Sequence, residues 1–190
     1  MLRDAAPPLF VMNSFLVRGF VLALFGALTV LFGRALSLEL DQVALLGVTL
    51  GAVVGLVPDQ RLTHRLIGFA VGFVLAWIGY AVRAAILPDV AMGRAIAVFG
   101  VLVIAVLVLA PTAGRIPLWS ALVGAAAMVG AYEQTYADAP SLFTTDSPTA
   151  ATTVLLACAM GVLGSTLLGG ASEERATAQE ASATKTGAHA

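Results

Sequence analysis

The chain has 190 residues, 59% of them hydrophobic and only 11% charged, with a formal net charge of −1 and a mean hydropathy of +0.96. A soluble domain is about 25% charged, so these charges are too few to solvate a globule and the bilayer is the expected solvent. The near-zero net charge carries no nucleic-acid footprint, and a single cysteine, Cys158, excludes an internal disulfide and a Cys-rich metal site.

The segment 1–13 reads as a cytoplasmic N-terminal arm. It is a poor secretory signal, because Asp4 and Pro7-Pro8 interrupt the part that should be basic, and the apolar run behind it exceeds the usual h-region. Six apolar segments follow. Segment 1 covers 14–35, with Arg18 and Arg34 near its ends, where both can snorkel to head groups. Glu39 and Asp41 mark a polar turn. Segment 2 covers 42–57 and stops at Pro58; a polar loop with Arg61, His64 and Arg65 follows. Segment 3 covers 66–87, before Pro88, and segment 4 covers 93–110, before Pro111. Segment 5 is expected over 117–132, since Pro117 suits a first helical turn. A long loop over 133–147 holds Glu133, Asp138 and Asp146. Ser147-Pro148 reads as the cap and first residue of segment 6, 148–169. The remainder, 170–190, is rich in Ala, Thr, Ser and Glu without an apolar period, and a disordered cytoplasmic tail is expected.

A span takes about 20 apolar residues to cross roughly 30 Å of hydrocarbon. Segments 1, 3 and 6 meet this, while segments 2 and 5 hold about 15 clean apolar residues, or ~22 Å. They occupy equivalent places in two halves, 14–87 and 93–169. The halves also share a string. Ala23-Leu24-Phe25-Gly26-Ala27-Leu28 and Ala97-Val98-Phe99-Gly100-Val101-Leu102 both read A-x-F-G-x-L, 74 positions apart. At nearly the same offset, 73, Leu45, Gly51 and Ala52 meet Leu118, Gly124 and Ala125. An odd number of spans per half would point the halves in opposite directions, the layout of inverted-repeat channels and transporters. The expected fold is therefore all-α and polytopic, with about six transmembrane helices in a 14–169 membrane domain and a candidate 3+3 inverted repeat.

Orientation follows from basic residues. Arg3, Arg18, Arg61, Arg65, Arg115, Arg175 and Lys185 share one side under six spans, against Arg34, Arg83 and Arg94 on the other. The positive-inside bias then places both termini in the cytoplasm of a multi-pass inner-membrane protein. Arginine in place of lysine, with heavy use of Ala, Val, Leu and Gly, fits a bacterial genome.

Small residues recur every four positions. Segment 2 carries Gly47, Gly51 and Gly55; segment 3 carries Gly68, Gly72 and Ala76; segment 6 carries Ala157, Gly161, Ser165 and Gly169. Such stripes fall on one helix face and let another helix approach closely. Together with Thr49, Ser120 and Gly124 they are candidate helix-packing or pore-lining positions. Chemistry is thin by comparison. No G-x-S-x-G, H-E-x-x-H or P-loop occurs, no cofactor or metal set is visible, and an enzyme is not expected. Every acid falls in a loop or the tail by this segmentation. Arg83 is the one awkward charge. It either snorkels or pairs with Glu39, Asp41 or Asp89 in an outer vestibule that attracts anions. The function expected is a small channel or passive facilitator for a solute or ion. The alternative is a non-catalytic anchor or scaffold subunit. The bilayer is the expected partner, with a second copy or another membrane protein against the exposed grooves.

Overall fold

The structure is a computed structural model that describes residues 43–87 and 90–187, with the backbone alone beyond 167, and Phe20, Ala23, Leu24 and 26–28 of the first segment. Among the described residues all regular structure is helical. The helices are α1 (Ala44–Leu56), α2 (Leu62–Ile86), α3 (Ala91–Leu109, with a 3-10 turn over Ala110–Thr112), α4 (Leu118–Asp138) and α5 (Phe143–Gly187), the last preceded by a 3-10 turn over Pro140–Leu142. Three stretches are long and apolar enough to cross a membrane: Leu62–Ile86, Ala91–Thr112 and Pro140–Leu167. These are the lengths and compositions of a membrane protein. α1 is apolar but has 13 residues, about 20 Å at 1.5 Å per residue. Residues 14–19 and 31–42, with Arg18, Arg34, Glu39 and Asp41, and also Phe25, Pro88 and Asp89, lie outside the described residues.

Local chemistry sets the ends. Val57 is extended at the C-cap of α1, as expected before Pro58, whose ring disfavours helical geometry in the preceding residue. Leu87 is extended before Pro88 for the same reason. The α3 extension is ended by Ala113 at φ 50° and Gly114 at φ 80°, two consecutive left-handed residues, of which only the glycine adopts that region without steric cost.

Three boundaries differ from the sequence expectation. α2 begins at Leu62, so His64 and Arg65 lie in its first turn and not in a loop. Arg65 is buried, and its NH1 group lies against the carbonyls of Val54 (2.6 Å), Gly55 (3.2 Å) and Val57. A permanent cation thus caps the last carbonyls of α1, which have no partner within that helix. The second difference removes the long loop. α4 continues to Asp138 and α5 begins at Phe143, so the expected 133–147 loop shrinks to a connection over 139–142. Pro148 lies inside α5, close enough to its start that few intrahelical bonds are lost. Third, the backbone of α5 stays helical to Gly187 where a disordered tail is expected. Alanine, glutamate and glutamine make up much of this stretch, and their helix propensity is high.

Contacts fix the run of the helices. At one end, Arg65 at the start of α2 meets the end of α1. Trp119 at the start of α4 donates to Asp59 in the α1–α2 turn, and Gln60 donates to the carbonyl of Gly114. At the other end, Arg83 in the last turn of α2 meets Glu133 in the last turns of α4. Arg94 at the start of α3 meets the same carboxylate, and Trp77 donates to Ser147 near the start of α5 at 2.9 Å. Successive helices therefore alternate in direction.

Two close crossings hold the bundle: α1 on α5 and α2 on α4. A Cβ added to Gly51 would sit 2.7 Å from the carbonyl carbon of Cys158, and one on Gly161 would sit 2.8 Å from the nitrogen of Ala52, against the carbonyl of Val48. In the other crossing, a Cβ on Gly124 would sit 2.7 Å from the carbonyl carbon of Phe69, and one on Gly72 would sit 2.7 Å from the Cα of Ala121. The contacts share one register. Gly51 and Gly124, like Val48 and Ala121, are 73 positions apart; Cys158 and Phe69, like Gly161 and Gly72, are 89 apart. The same offsets carry the Gly47–Ala157 contact onto Ser120–Gly68. Between the crossings, Val54, Phe69, Phe73, Met128, Tyr132 and Val154 fill the buried centre.

Candidate functional site

Polar side chains gather at the end of the bundle opposite Arg65. Tyr80 and Arg83 are one turn apart on α2. Tyr132, Glu133 and Tyr136 occupy the last turns of α4, and Arg94 lies in the first turn of α3. Arg83 NH1 stands 2.9 Å from Glu133 Oε2, and the Tyr80 hydroxyl donates to the same oxygen at 2.6 Å. The Arg83 guanidinium also lies 4.3 Å from the Tyr136 ring centroid and 5.4 Å from that of Tyr80, within the range of a cation–π contact. Arg83 is 6% exposed and Glu133 33%. Arg83 is buried and not extended to solvent, and among the described residues its counter-charge is Glu133 on a neighbouring helix. The expected partners Glu39, Asp41 and Asp89 lie outside the described residues. Nor do all acids fall in loops, because Glu133 is helical.

The second oxygen of Glu133 has a different environment. Oε1 is shielded from solvent yet makes no hydrogen bond. Arg94 Nε approaches it to 3.4 Å as an ion pair, without the alignment of a hydrogen bond. Among the described residues, two guanidinium groups face this one carboxylate. Around them the tyrosines form a packed aromatic set, with Tyr80 and Tyr132 centroids 5.1 Å apart and edge-on, and Tyr80 and Tyr136 5.2 Å apart. The Tyr132 hydroxyl is also buried without a hydrogen-bond partner.

Beside this cluster lies a cavity of about 480 Å³ between α2, α3 and α4. Its walls come from Ala76 and Gly79 of α2, Val98 and Val101 of α3, and Ala125 and Val129 of α4, and its polar end from Arg83, Arg94 and Glu133. The cavity exists because small residues face it where larger ones would close the gap. α3 touches α2 there through Val101 against Gly79, where an added Cβ would lie 2.7 Å from the valine methyl.

The positions expected from sequence fall elsewhere. Gly47, Gly51 and Gly55 of α1 face Ala157, Cys158 and Ser165 of α5, and Gly161 faces back; Gly68 and Gly72 of α2 face Ser120 and Ala121 of α4, and Gly124 faces Phe69. All sit at the crossings, and none of them lines the cavity beside Glu133. Gly51 also borders a smaller cavity of about 390 Å³ with Cys158 and Phe69. The hydroxyls turn inward on their own helices: Ser120 donates to Pro117 O (2.8 Å), Ser165 to Val162 O (2.8 Å), and exposed Thr49 to Leu45 O (2.7 Å). Of the expected residues, only Arg83 belongs to the polar cluster. Tyr80, Arg94, Tyr132, Glu133 and Tyr136 are the members that sequence reasoning missed. One local signal pointed at the tyrosines: Tyr80 shares a helix face with Arg83 at i, i+3, as Tyr132 does with Tyr136 at i, i+4; nothing local marks Arg94 or Glu133.

Among the described residues no three His, Cys, Asp or Glu side chains come together as a metal set. No family of known proteins matches the chain, and no curated protein or solved structure matches it.

Proposed function

We propose that this chain is a small-solute facilitator of the membrane, in which the α2/α3/α4 cavity holds the solute against the Arg83–Glu133–Arg94 cluster. The observation that carries the reading is the cavity itself: about 480 Å³, apolar along its length and charged at one end. Ligand sites commonly fall in this size range, with few convergent polar groups. Ionisable residues among membrane helices are costly and tend to mark solute or ion paths. The filled centre of the bundle favours a carrier that binds and alternates over a permanently open pore. The shared register of the two crossings supports two inverted halves, 14–87 and 93–169, and six spans. Arg61, Arg65 and Arg115 at the opposite end support cytoplasmic termini in a bacterial inner membrane.

Purified protein in liposomes tests this. Entry of small neutral, anionic and cationic organic solutes would be followed by stopped-flow light scattering and by an internal pH dye. The expected result is selective entry of one class, reduced at least about tenfold in Glu133→Gln with the helical content unchanged. Liposomes no leakier than protein-free controls to all three classes would overturn it.

A second reading, a scaffold subunit, is favoured by α3. Its Phe99 is 71% and its Leu107 65% exposed, an apolar surface that another membrane protein or a second copy could cover. Cross-linking in native membranes, with a benzophenone residue at Phe99, would identify that neighbour.

A further inference from the structure

We infer that the α2/α3/α4 cavity binds a single-chain amphiphile with a monoanionic head, of the class of a fatty-acid carboxylate, entering sideways from the bilayer. The inference rests on the reading of this cavity as the solute site, and it names what the solute is. Three features of the site point to it.

The first is the division of the walls. Ala76, Gly79, Val101 and Ala125 offer nothing to a polar body, and the polar groups are confined to one end. A ligand that satisfies both parts has an apolar chain and a single compact head. A small hydrophilic solute would leave the long apolar part of the cavity unused.

The second is sign. Among the described residues, two guanidinium groups, Arg83 and Arg94, stand at the polar end of the cavity beside Glu133. Arg83 is already held by Glu133 and by the tyrosine rings. Arg94 is not held in that way. It is 52% exposed and approaches Glu133 most closely through Nε, at 3.4 Å. A carboxylate or phosphate beside the outer edge of its guanidinium would pair with it through charge-assisted hydrogen bonds. A cationic head would face two guanidinium groups and is disfavoured.

The third is access. Four lining residues, Val98, Leu102, Leu122 and Val129, also lie on the outer surface, at 54, 42, 42 and 41% exposure. The cavity thus opens to the side, where acyl chains are. The charged end lies near the helix termini, with Arg83 three residues before the last residue of α2, about 5 Å along the axis. That is the depth at which snorkelling arginines and lipid heads meet. An amphiphile could enter chain and head together, without drawing its head through hydrocarbon.

Binding separates this inference from transport. The full chain in phosphatidylcholine nanodiscs would be titrated with an anthroyloxy-labelled fatty acid, then challenged with dodecanoate, dodecanol, dodecylamine and inorganic phosphate. The expected order is dodecanoate well ahead of dodecanol and dodecylamine, with no displacement by phosphate at millimolar concentration. Arg94→Gln should weaken dodecanoate by about tenfold, the scale of one charged hydrogen bond, and leave dodecanol within about twofold. Val101→Trp, which fills the cavity from α3, should weaken both, with retained thermal stability showing that the bundle has folded. Equal displacement by dodecanol and dodecanoate, phosphate competing as well as dodecanoate, or an Arg94→Gln variant with wild-type affinity would each overturn it. Saturable dodecanoate binding without solute flux keeps this inference and rejects the facilitator. Flux with no preference for the carboxylate does the reverse.

Discussion

The carbonyl group of Cys158 occupies the space that a side chain on Gly51 would need: an added Cβ would stand 2.7 Å from the carbonyl carbon and 2.9 Å from the Cα. Backbone on backbone leaves no flexible group to move aside, so the α1–α5 crossing depends on the absence of a side chain. Without a hydrophobic drive between helices in lipid, such contact is what holds them together, through dispersion and Cα–H···O approaches. Gly51→Leu must separate the two helices, and overpacking costs about 1–3 kcal/mol or more. Gly124→Leu should behave alike, because its Cβ would meet the Phe69 backbone in the same way. Gly100 is the control, with nothing within 4 Å of an added Cβ. Thermal unfolding in detergent should fall clearly for Gly51→Leu and Gly124→Leu and stay at wild type for Gly100→Leu. Equal stability of all three would show that the crossings do not limit the fold.

Arg83 and Glu133 make a second quantitative expectation. Removing one partner of a buried pair leaves the other charge uncompensated, at a cost of about 3–5 kcal/mol, while replacing both by apolar groups is often neutral. Glu133 is 33% exposed, so solvent relieves part of that cost and the lower end applies. Arg94 and the Tyr80 hydroxyl still reach Glu133 after Arg83→Leu, so that variant should destabilise by about 2–3 kcal/mol, below the cost of a lone buried charge. The Arg83→Leu/Glu133→Leu double variant should recover most of the loss, although the Tyr80 hydroxyl then loses its acceptor. A double-mutant cycle by denaturation measures this. A double variant as unstable as the sum of both singles would mean that the two charges are held independently.

These two cases also show what the sequence could and could not reveal. The glycine stripes are legible because four-residue spacing is local and puts small groups on one face, whatever lies opposite. Their partners were not legible, since Gly51 against Cys158 is a contact between distant segments. Glu133 was lost for a different reason. A charge after an apolar run reads as the end of a span, and its compensation comes from Arg83, Tyr80 and Arg94 on two other helices. Ser147-Pro148 misled in the same local way. The pair has the form of a helix start, yet Phe143 opens α5 and Pro148 is tolerated near its beginning. Arg65 looked like a solvated loop charge, because the carbonyls that it caps belong to a helix that has already ended.

Topology can be tested with the helix directions now assigned. Asp138 closes α4 at the Arg83 end, and α5 runs from there past the Arg65 end. Arg61, Arg65 and Arg115 lie at the latter end, which the proposed orientation places in the cytoplasm by the positive-inside bias. In a Cys158→Ala background, Asp138→Cys should react with an impermeant maleimide added to intact cells. Thr184→Cys should react only after permeabilisation. The opposite pattern would invert the protein, and labelling of both from outside would rule out an α5 that crosses the membrane.

The proposed inverted repeat makes a placement prediction for the first apolar segment. α3 rests on α2, with Val101 over Gly79. The A-x-F-G-x-L match sets Val101 against Ala27, 74 positions earlier, and the crossing register sets Gly79 against position 168, 89 later. If the halves are equivalent, the first segment lies on α5 as α3 lies on α2, with Ala27 over Leu168. A cysteine pair forms a disulfide only when its Cα atoms come within about 7 Å. Ala27→Cys with Leu168→Cys, in the Cys158→Ala background, should therefore close under mild oxidation in membranes. Its counterpart Val101→Cys with Gly79→Cys should close as a positive control. Ala27→Cys with Gly79→Cys should remain open, since both positions lie in the first half and the repeat packs the first helix of each half on the last helix of the other. Closure of this last pair, with the first left open, would place the segment beside α2 and end the case for two equivalent halves.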